Sequence, residues 1–95
     1  MYAIVLKFSI VADGCVPSTE VLVESIRRVT LGGNHVEHAR AERHPMHVVA
    51  VVFVTAHDAI GALQLSEVAS YTIEQLTPSL RLLSVRMLDR PPDDA

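Results

Sequence analysis

The chain is poor in several residue types that mark particular classes of protein. It contains one cysteine, so no disulfide can form within it, which is typical of a reducing compartment. Tryptophan is absent and aromatic residues make up only 4%, so stacking on RNA bases is not expected. Lysine and arginine number 8 against 11 aspartates and glutamates, and this acidic balance argues against binding to duplex DNA. We therefore expect no nucleic acid partner.

Long hydrophobic runs are also missing. No apolar run approaches the roughly 20 residues that a helix needs to span a bilayer. The apolar N-terminus has no basic residue before its apolar stretch, and Lys7 interrupts that stretch, which is unlike a secretory signal peptide. We therefore expect a cytoplasmic protein with no membrane partner. With 95 residues, 49% hydrophobic and 20% charged, the composition is that of one globular domain.

Residue periodicity predicts four strands and two helices. Alternating or continuous apolar residues place the strands at residues 2–11, 34–44, 47–55 and 79–88. The first helix is predicted to begin after Pro17 and to stop at Gly32-Gly33. The second is predicted to be capped by Asp58 and to run to about Leu76, with Gly61 weakening its first turns. Residues 1–88 are thus expected to form a single domain, followed by a flexible C-terminal tail at 89–95.

The order of these elements is β-α-β-β-α-β, which resembles the split βαβ arrangement of ferredoxin-like folds. The resemblance implies an α+β domain with a four-stranded antiparallel sheet of strand order 4-1-3-2. It also implies that both helices lie on one face of that sheet. The first and third strands are the most apolar and the second is the most charged, which agrees with central and edge positions respectively.

The second face of such a sheet has no helix over it, and we predict that it is apolar. We assign the following residues to the helix-covered face: Tyr2, Ile4, Leu6, Phe8, Val49, Val51 and Phe53. The outer face then carries small aliphatic residues, and these are our candidate dimer interface: Val5, Ala39, Ala41, Val48, Ala50 and Val52. Because a flat apolar patch on a soluble domain indicates a partner, we expect a homodimer packed sheet to sheet. A mildly apolar monomer surface, or pairing through the edge strand at 34–44, are the alternatives.

The loop at 12–18 joins the first strand to the first helix, where backbone amides favour an anionic ligand. Amino-acid-sensing domains of the ACT type share the βαββαβ order and bind ligands near this loop, and the topology here is similar to theirs. The resemblance implies Asp13, Gly14 and Cys15 as candidate ligand-binding residues. A thiol near a helix N-terminus can be reactive, but the sequence places no histidine base beside it.

Four of the five histidines lie on the second strand and its hairpin, at 35, 38, 44 and 47. With a turn at 43–46, Glu42 lies opposite His47, and His38, Glu42 and His47 share a face. Imidazole and carboxylate can bind zinc or copper, but His35 and His38 are three residues apart and are predicted to point to opposite faces. No metal-ligand spacing occurs. We therefore predict no metal and no cofactor, and we keep His38 and His47 as candidate ligand-binding residues.

No catalytic constellation is evident in the sequence. We therefore expect a small homo-oligomeric module that binds a small molecule or a partner protein, rather than an enzyme. The dimeric α/β-barrel oxygenases and isomerases also share the topology, and that resemblance implies a cofactor-independent enzyme acting on a hydrophobic small molecule. Tyr2, Tyr71, His38 and His47 are available for such chemistry. A third alternative is a metal-handling protein that uses the histidine-rich hairpin. A closed cavity would favour the enzyme, and a filled core would favour the binding module.

Overall fold

A computed structural model describes residues 1–11 and 16–88 of the chain. The elements are β1 (Tyr2–Ile10), α1 (Thr19–Arg27), β2 (Thr30–Leu31), β3 (Asn34–Arg43), β4 (His47–Thr55), α2 (Ala59–Leu76) and β5 (Leu80–Met87). The predicted tail at 89–95 lies outside the described residues.

The described strands form one antiparallel sheet in the order β2-β3-β4-β1-β5. The α+β class with two helices is confirmed, but the predicted four-stranded sheet of order 4-1-3-2 is corrected to five strands in the order above, because a short strand is added beside β3. The added strand, β2, pairs with the first two residues of β3. Gly32 and Gly33 make the turn between them with φ angles of 57° and 88°. Glycine adopts two successive positive φ angles without a steric penalty, so this pair favours a tight hairpin.

Helix α1 therefore ends before the glycine pair, contrary to the sequence prediction. It runs for nine residues and closes at Arg28. Ser18 caps its N-terminus, with Oγ accepting a hydrogen bond from the backbone N–H of Val21 at 3.3 Å. The backbone N–H groups in the first turn of a helix have no carbonyl acceptor within the helix, and a hydroxyl at this position accepts one of their hydrogen bonds.

Helix α2 begins where Asp58 predicts, and Gly61 does not delay it. Asp58 Oδ1 accepts a hydrogen bond from the backbone N–H of Gly61 at 2.7 Å. A Cβ added at Gly61 would lie 2.8 Å from Asn34 Nδ2. Glycine at this position therefore lets the start of α2 approach the start of β3 closely.

The hydrophobic core lies between the two helices and one face of the sheet. The helices contribute Leu22, Ile26, Ala62, Leu65, Ala69 and Ile73, and the sheet contributes Ile4, Leu6, Phe8, Val36, Ala39, Val48, Ala50, Val52, Val54 and Leu80. Because all of these side chains belong to one buried cluster, both helices cover the same face of the sheet.

The register between β1 and β4 shows which face of β4 is covered, and it corrects the sequence assignment. The pairs are Ile4 with Val52, Leu6 with Ala50, and Phe8 with Val48. All six residues are at most 2% exposed. The predicted interface residues Val48, Ala50 and Val52 are therefore core residues. Ala39 and Ala41 pair with Val52 and Ala50 and face the helices as well. Both faces of β4 are apolar, so hydrophobic periodicity does not distinguish them.

Candidate functional site

The outer face of the sheet, which no described helix covers, carries an apolar strip along its central strands. We define the apolar strip as Val5 of β1 together with Val49, Val51 and Phe53 of β4. All four side chains are only partly exposed in the single chain, and Val5 lies directly opposite Val51. Of the residues predicted for a dimer interface, Val5 lies on this face.

Polar and charged side chains border the apolar strip on both sides. On the β3 side they are His38, Arg40 and Glu42, which pair with Phe53, Val51 and Val49. On the β5 side they are Lys7, Ser84 and Arg86. An apolar centre with a polar and charged rim is the usual anatomy of a protein–protein interface.

Two rim residues on β3 turn in opposite directions along the strand. The guanidinium of Arg40 lies over the Phe53 ring, 5.7 Å from its centroid, in a cation–π contact. Glu42 instead points toward the hairpin, with Oε1 2.8 Å from His44 Nε2. Among residues 1–11 and 16–88, no carboxylate forms an ion pair with Arg40. Its charge is thus held in place by an aromatic ring and is available to an outside anion.

The divergence of these two side chains leaves a surface depression of about 280 Å³ between β3 and β4. Its lining residues are Arg40, Ala41, Glu42, Val49 and Val51. This volume is just below the usual range of small-molecule pockets. The depression therefore suits side chains of a partner better than a whole drug-sized ligand.

A β-bulge changes the predicted placement of the histidines on β3. The register shifts between Val36 and His38, so Glu37 is the extra residue. His35 and His38 consequently both lie on the outer face, which corrects the prediction that they point to opposite faces. That prediction assumed an unbroken alternation of side chains, and a bulge interrupts it. His38 packs against Phe53 with ring centroids 5.8 Å apart.

The bulged residue Glu37 sits in a small polar cluster. Its Oε2 accepts a hydrogen bond from Thr55 Oγ1 at 2.9 Å and lies 2.8 Å from His35 Nε2. The Thr55 hydroxyl, and then His35, hold the pKa of the Glu37 carboxyl below its usual range. Hydrogen bonds to a carboxylate favour its charged form, so Glu37 is ionised at neutral pH.

The hairpin between β3 and β4 is tighter than predicted. The backbone N–H of His44 donates to the carbonyl of His47 at 2.8 Å, which leaves only two residues in the turn. Glu42 therefore lies opposite Val49 and not opposite His47. The rings of His44 and His47 stack with centroids 4.6 Å apart. Desolvation, and then the charges of Lys7 and His44, lower the pKa of His47, so its ring is neutral at pH 7.

The structure does not bring the predicted ligand residues into one site. His38 lies beside Phe53, and His47 is six positions before Phe53 on β4, a distance of about 20 Å along a strand. In the described part of the chain, no group of three or more His, Cys, Asp or Glu side chains is arranged to hold a metal ion. Asp13, Gly14 and Cys15 lie outside the described residues.

Both long edges of the sheet have features that discourage pairing with another strand. On β3, the two residues that pair with β2 are followed by the bulge and by the charged residues between Glu37 and Arg43. On β5, Glu74 Oε2 accepts a hydrogen bond from the backbone N–H of Leu82 at 2.7 Å and so occupies an edge donor. Bulges and charges of this kind protect sheet edges, which leaves the outer face as the better binding surface.

Sequence reasoning missed Phe53, Arg40 and Glu42 as members of this face. A signal was present, because polar residues of β3 at alternate positions mark the solvent side of that strand. Because β3 and β4 are paired in one hairpin, the solvent-facing side chains of β4 must point in the same direction as those of β3. Applied to β4, this rule assigns Val49, Val51 and Phe53 to the outer face.

Comparison with protein-family models, with curated proteins and with solved structures gives no match to this chain. None of the helices in residues 1–11 and 16–88 combines the length and the apolar character that crossing a membrane requires.

Proposed function

We propose that this chain is a small homo-oligomeric interaction module of ferredoxin-like fold that binds a second copy of itself through the outer face of its sheet. The observation that carries the proposal is the apolar strip of Val5, Val49, Val51 and Phe53, bordered by residues of both charge signs. Burial of this strip provides the free energy of association, and the rim provides specificity.

The size of the outer face supports a dimer of moderate affinity. Four strands about 4.8 Å apart and about 30 Å long give a flat area of roughly 550 Å² on each copy. Side-chain relief raises the accessible area above this flat value, toward the roughly 800 Å² per partner of a standard interface. We therefore expect a dissociation constant in the micromolar range, about −8 kcal/mol at 1 μM.

The outer side of α2 is the competing surface, since it exposes Ile60, Tyr71 and Leu76 at 67%, 63% and 63%. Leu63 and Val68 are exposed as well and lie one turn from Ile60 and Tyr71. Exposed polar residues separate these two pairs, however, and Leu76 is turned well away from Tyr71 at 100° per residue. The apolar strip on the sheet is contiguous, and its rim carries both cations and anions. Self-association requires a surface that is complementary to itself, and the sheet face meets this condition better than α2.

The proposal is tested by sedimentation velocity over a range of concentrations with matched lysine substitutions. Val51→Lys places a charge in the centre of the apolar strip, whereas Val21→Lys places it on α1, where Val21 is already 53% exposed. We expect the wild type and Val21→Lys to show the same monomer–dimer equilibrium and Val51→Lys to remain monomeric. Circular dichroism and thermal unfolding verify that Val51→Lys is folded.

Two outcomes contradict the proposal. One is a wild type that stays monomeric up to millimolar concentration, and the other is an equal loss of dimer in both lysine variants. Native mass spectrometry of the same samples tests the enzyme alternative, because a retained small organic mass would favour a substrate-binding domain over a self-binding module.

A further inference from the structure

Building on the proposed self-association, we infer that the two copies are related by a twofold axis perpendicular to the strands, which places Arg40 of each copy against Glu42 of the other. The inference concerns the orientation of the partner and can fail while the dimer itself is correct. It rests on the order of charges on the outer face.

Two adjacent rows of side chains cross the outer face at right angles to the strands. The first row reads Arg40, Val51, Val5 and Arg86. The second row reads Glu42, Val49, Lys7 and Ser84. In a twofold dimer, rotation about the axis decides which residue of the second copy lies opposite each residue of the first. The direction and position of the axis therefore decide which charges meet.

An axis that runs between these two rows, perpendicular to the strands, exchanges one row with the other. Arg40 then faces Glu42 of the second copy, and Glu42 faces Arg40, so one strand supplies two ion pairs. Within the apolar strip, Val49 faces Val51 of the second copy and vice versa. Arg86 faces Ser84, and Lys7 faces Val5, whose surface the lysine stem can cover. No like charges from these two rows are opposed.

An axis parallel to the strands gives a different result. It keeps each row at its own level and exchanges β3 with β5. Arg40 then faces Arg86 of the second copy, and this contact between like charges occurs twice. Opposed like charges at an interface are costly, so the parallel axis is disfavoured.

The conformations of the two charged side chains fit the perpendicular axis. Arg40 leans over Phe53, away from Glu42, and Glu42 leans toward His44, away from Arg40. Rotation about an axis midway between the two rows brings the Glu42 carboxylate of the second copy to the end of the strand toward which Arg40 points. The guanidinium of Arg40 and this carboxylate therefore meet across the interface. The same operation sets Phe53 opposite His47 of the second copy, where a neutral imidazole can pack on the aromatic ring.

Charge-reversal variants test this orientation through mixing. In Arg40→Glu the two copies would oppose acids with acids, and in Glu42→Arg they would oppose bases with bases. We expect each variant alone to raise the dimer dissociation constant about 10- to 100-fold. Mixed together, the two variants are complementary at both contacts, and we expect a heterodimer of near wild-type affinity, seen by native mass spectrometry. The double variant that carries both substitutions should also recover the dimer.

The matched controls are Glu24→Arg and Arg27→Glu, an exposed ion pair at 3.4 Å within α1. They change the net charge equally but lie away from the sheet face, and their dimers should match the wild type. Suppose that the wild type dimerises and that Val51→Lys dissociates the dimer, but that mixing the two charge-reversal variants gives no heterodimer. This result would overturn the orientation and leave the proposed function standing. A monomeric wild type would overturn both.

Discussion

The adjacent residues Val51 and Val52 provide a direct test of which face of β4 is buried. Val52 is 0% exposed beneath the helices, whereas Val51 lies on the outer face. We consider the same substitution, valine to alanine, at both positions. Val52→Ala should destabilise the fold, and Val51→Ala should mainly weaken self-association.

The expected magnitudes follow from the two environments. Val52→Ala removes two methyl groups from a packed core, a transfer loss of about 1.6 kcal/mol, and the residual cavity adds about 1 kcal/mol. For a domain of this size, a loss of 2–3 kcal/mol lowers the melting temperature by roughly 10–20 °C. Val51→Ala should cost less than about 1 kcal/mol in the monomer. In the dimer two copies lose part of this contact, which raises the dissociation constant about fivefold.

The assay is thermal unfolding by circular dichroism at a concentration where the chain sediments as a monomer, combined with sedimentation velocity at higher concentrations. The reasoning is refuted if Val51→Ala lowers the melting temperature as much as Val52→Ala does. It is also refuted if Val52→Ala leaves the melting temperature unchanged, since the face under the helices would then be misassigned.

Three further predictions concern a helix cap and two titrating groups. Asp58→Ala should cost about 1 kcal/mol of stability in thermal unfolding because α2 loses its N-cap, and Asp58→Asn should retain most of it; an unaffected alanine variant would contradict this role. The pKa of Glu37, measured by carboxyl NMR, should lie below the ordinary glutamate range and rise in Thr55→Val. Because the unfolded carboxyl binds protons more readily, this part of the stability is present at neutral pH and is lost as the pH falls through the folded pKa; an unchanged pKa in the valine variant would argue against the hydrogen bond. The pKa of His47 should lie below the ordinary histidine range and rise in Lys7→Gln, and stability should fall as the pH drops below that ordinary range, because the unfolded imidazole takes up a proton first. An NMR titration in which His47 behaves as a free histidine would contradict this.

Elements that depend on local pattern could be predicted well from the sequence. Alternating residues in Tyr2–Ile10 and the continuous apolar run in β4 predict strands, and Asp58 marks the start of α2 within one residue. These features arise from interactions between near neighbours in the chain. The same kind of reasoning therefore gives the α+β class.

Elements that depend on backbone geometry or on packing across the sheet could not be predicted in the same way. Gly32 and Gly33 are typical of a helix stop and of a hairpin turn, and only the pairing of β2 with β3 distinguishes the two. The bulge at Glu37 reverses the alternation of β3, and no residue pattern marks it. Because both sides of β4 are apolar, periodicity within β4 does not distinguish Val51 from Val52. That choice requires the polar face of β3 to be carried across the hairpin to β4.

The most direct test of self-association through the outer face is a methyl NMR dilution series of the wild type. We expect the methyl signals of Val5, Val49 and Val51 to shift with concentration along one dimerisation curve, while those of Val52 on the buried face and Ile60 on α2 stay constant. Spectra that do not change with concentration, or shifts confined to α2, would contradict the account.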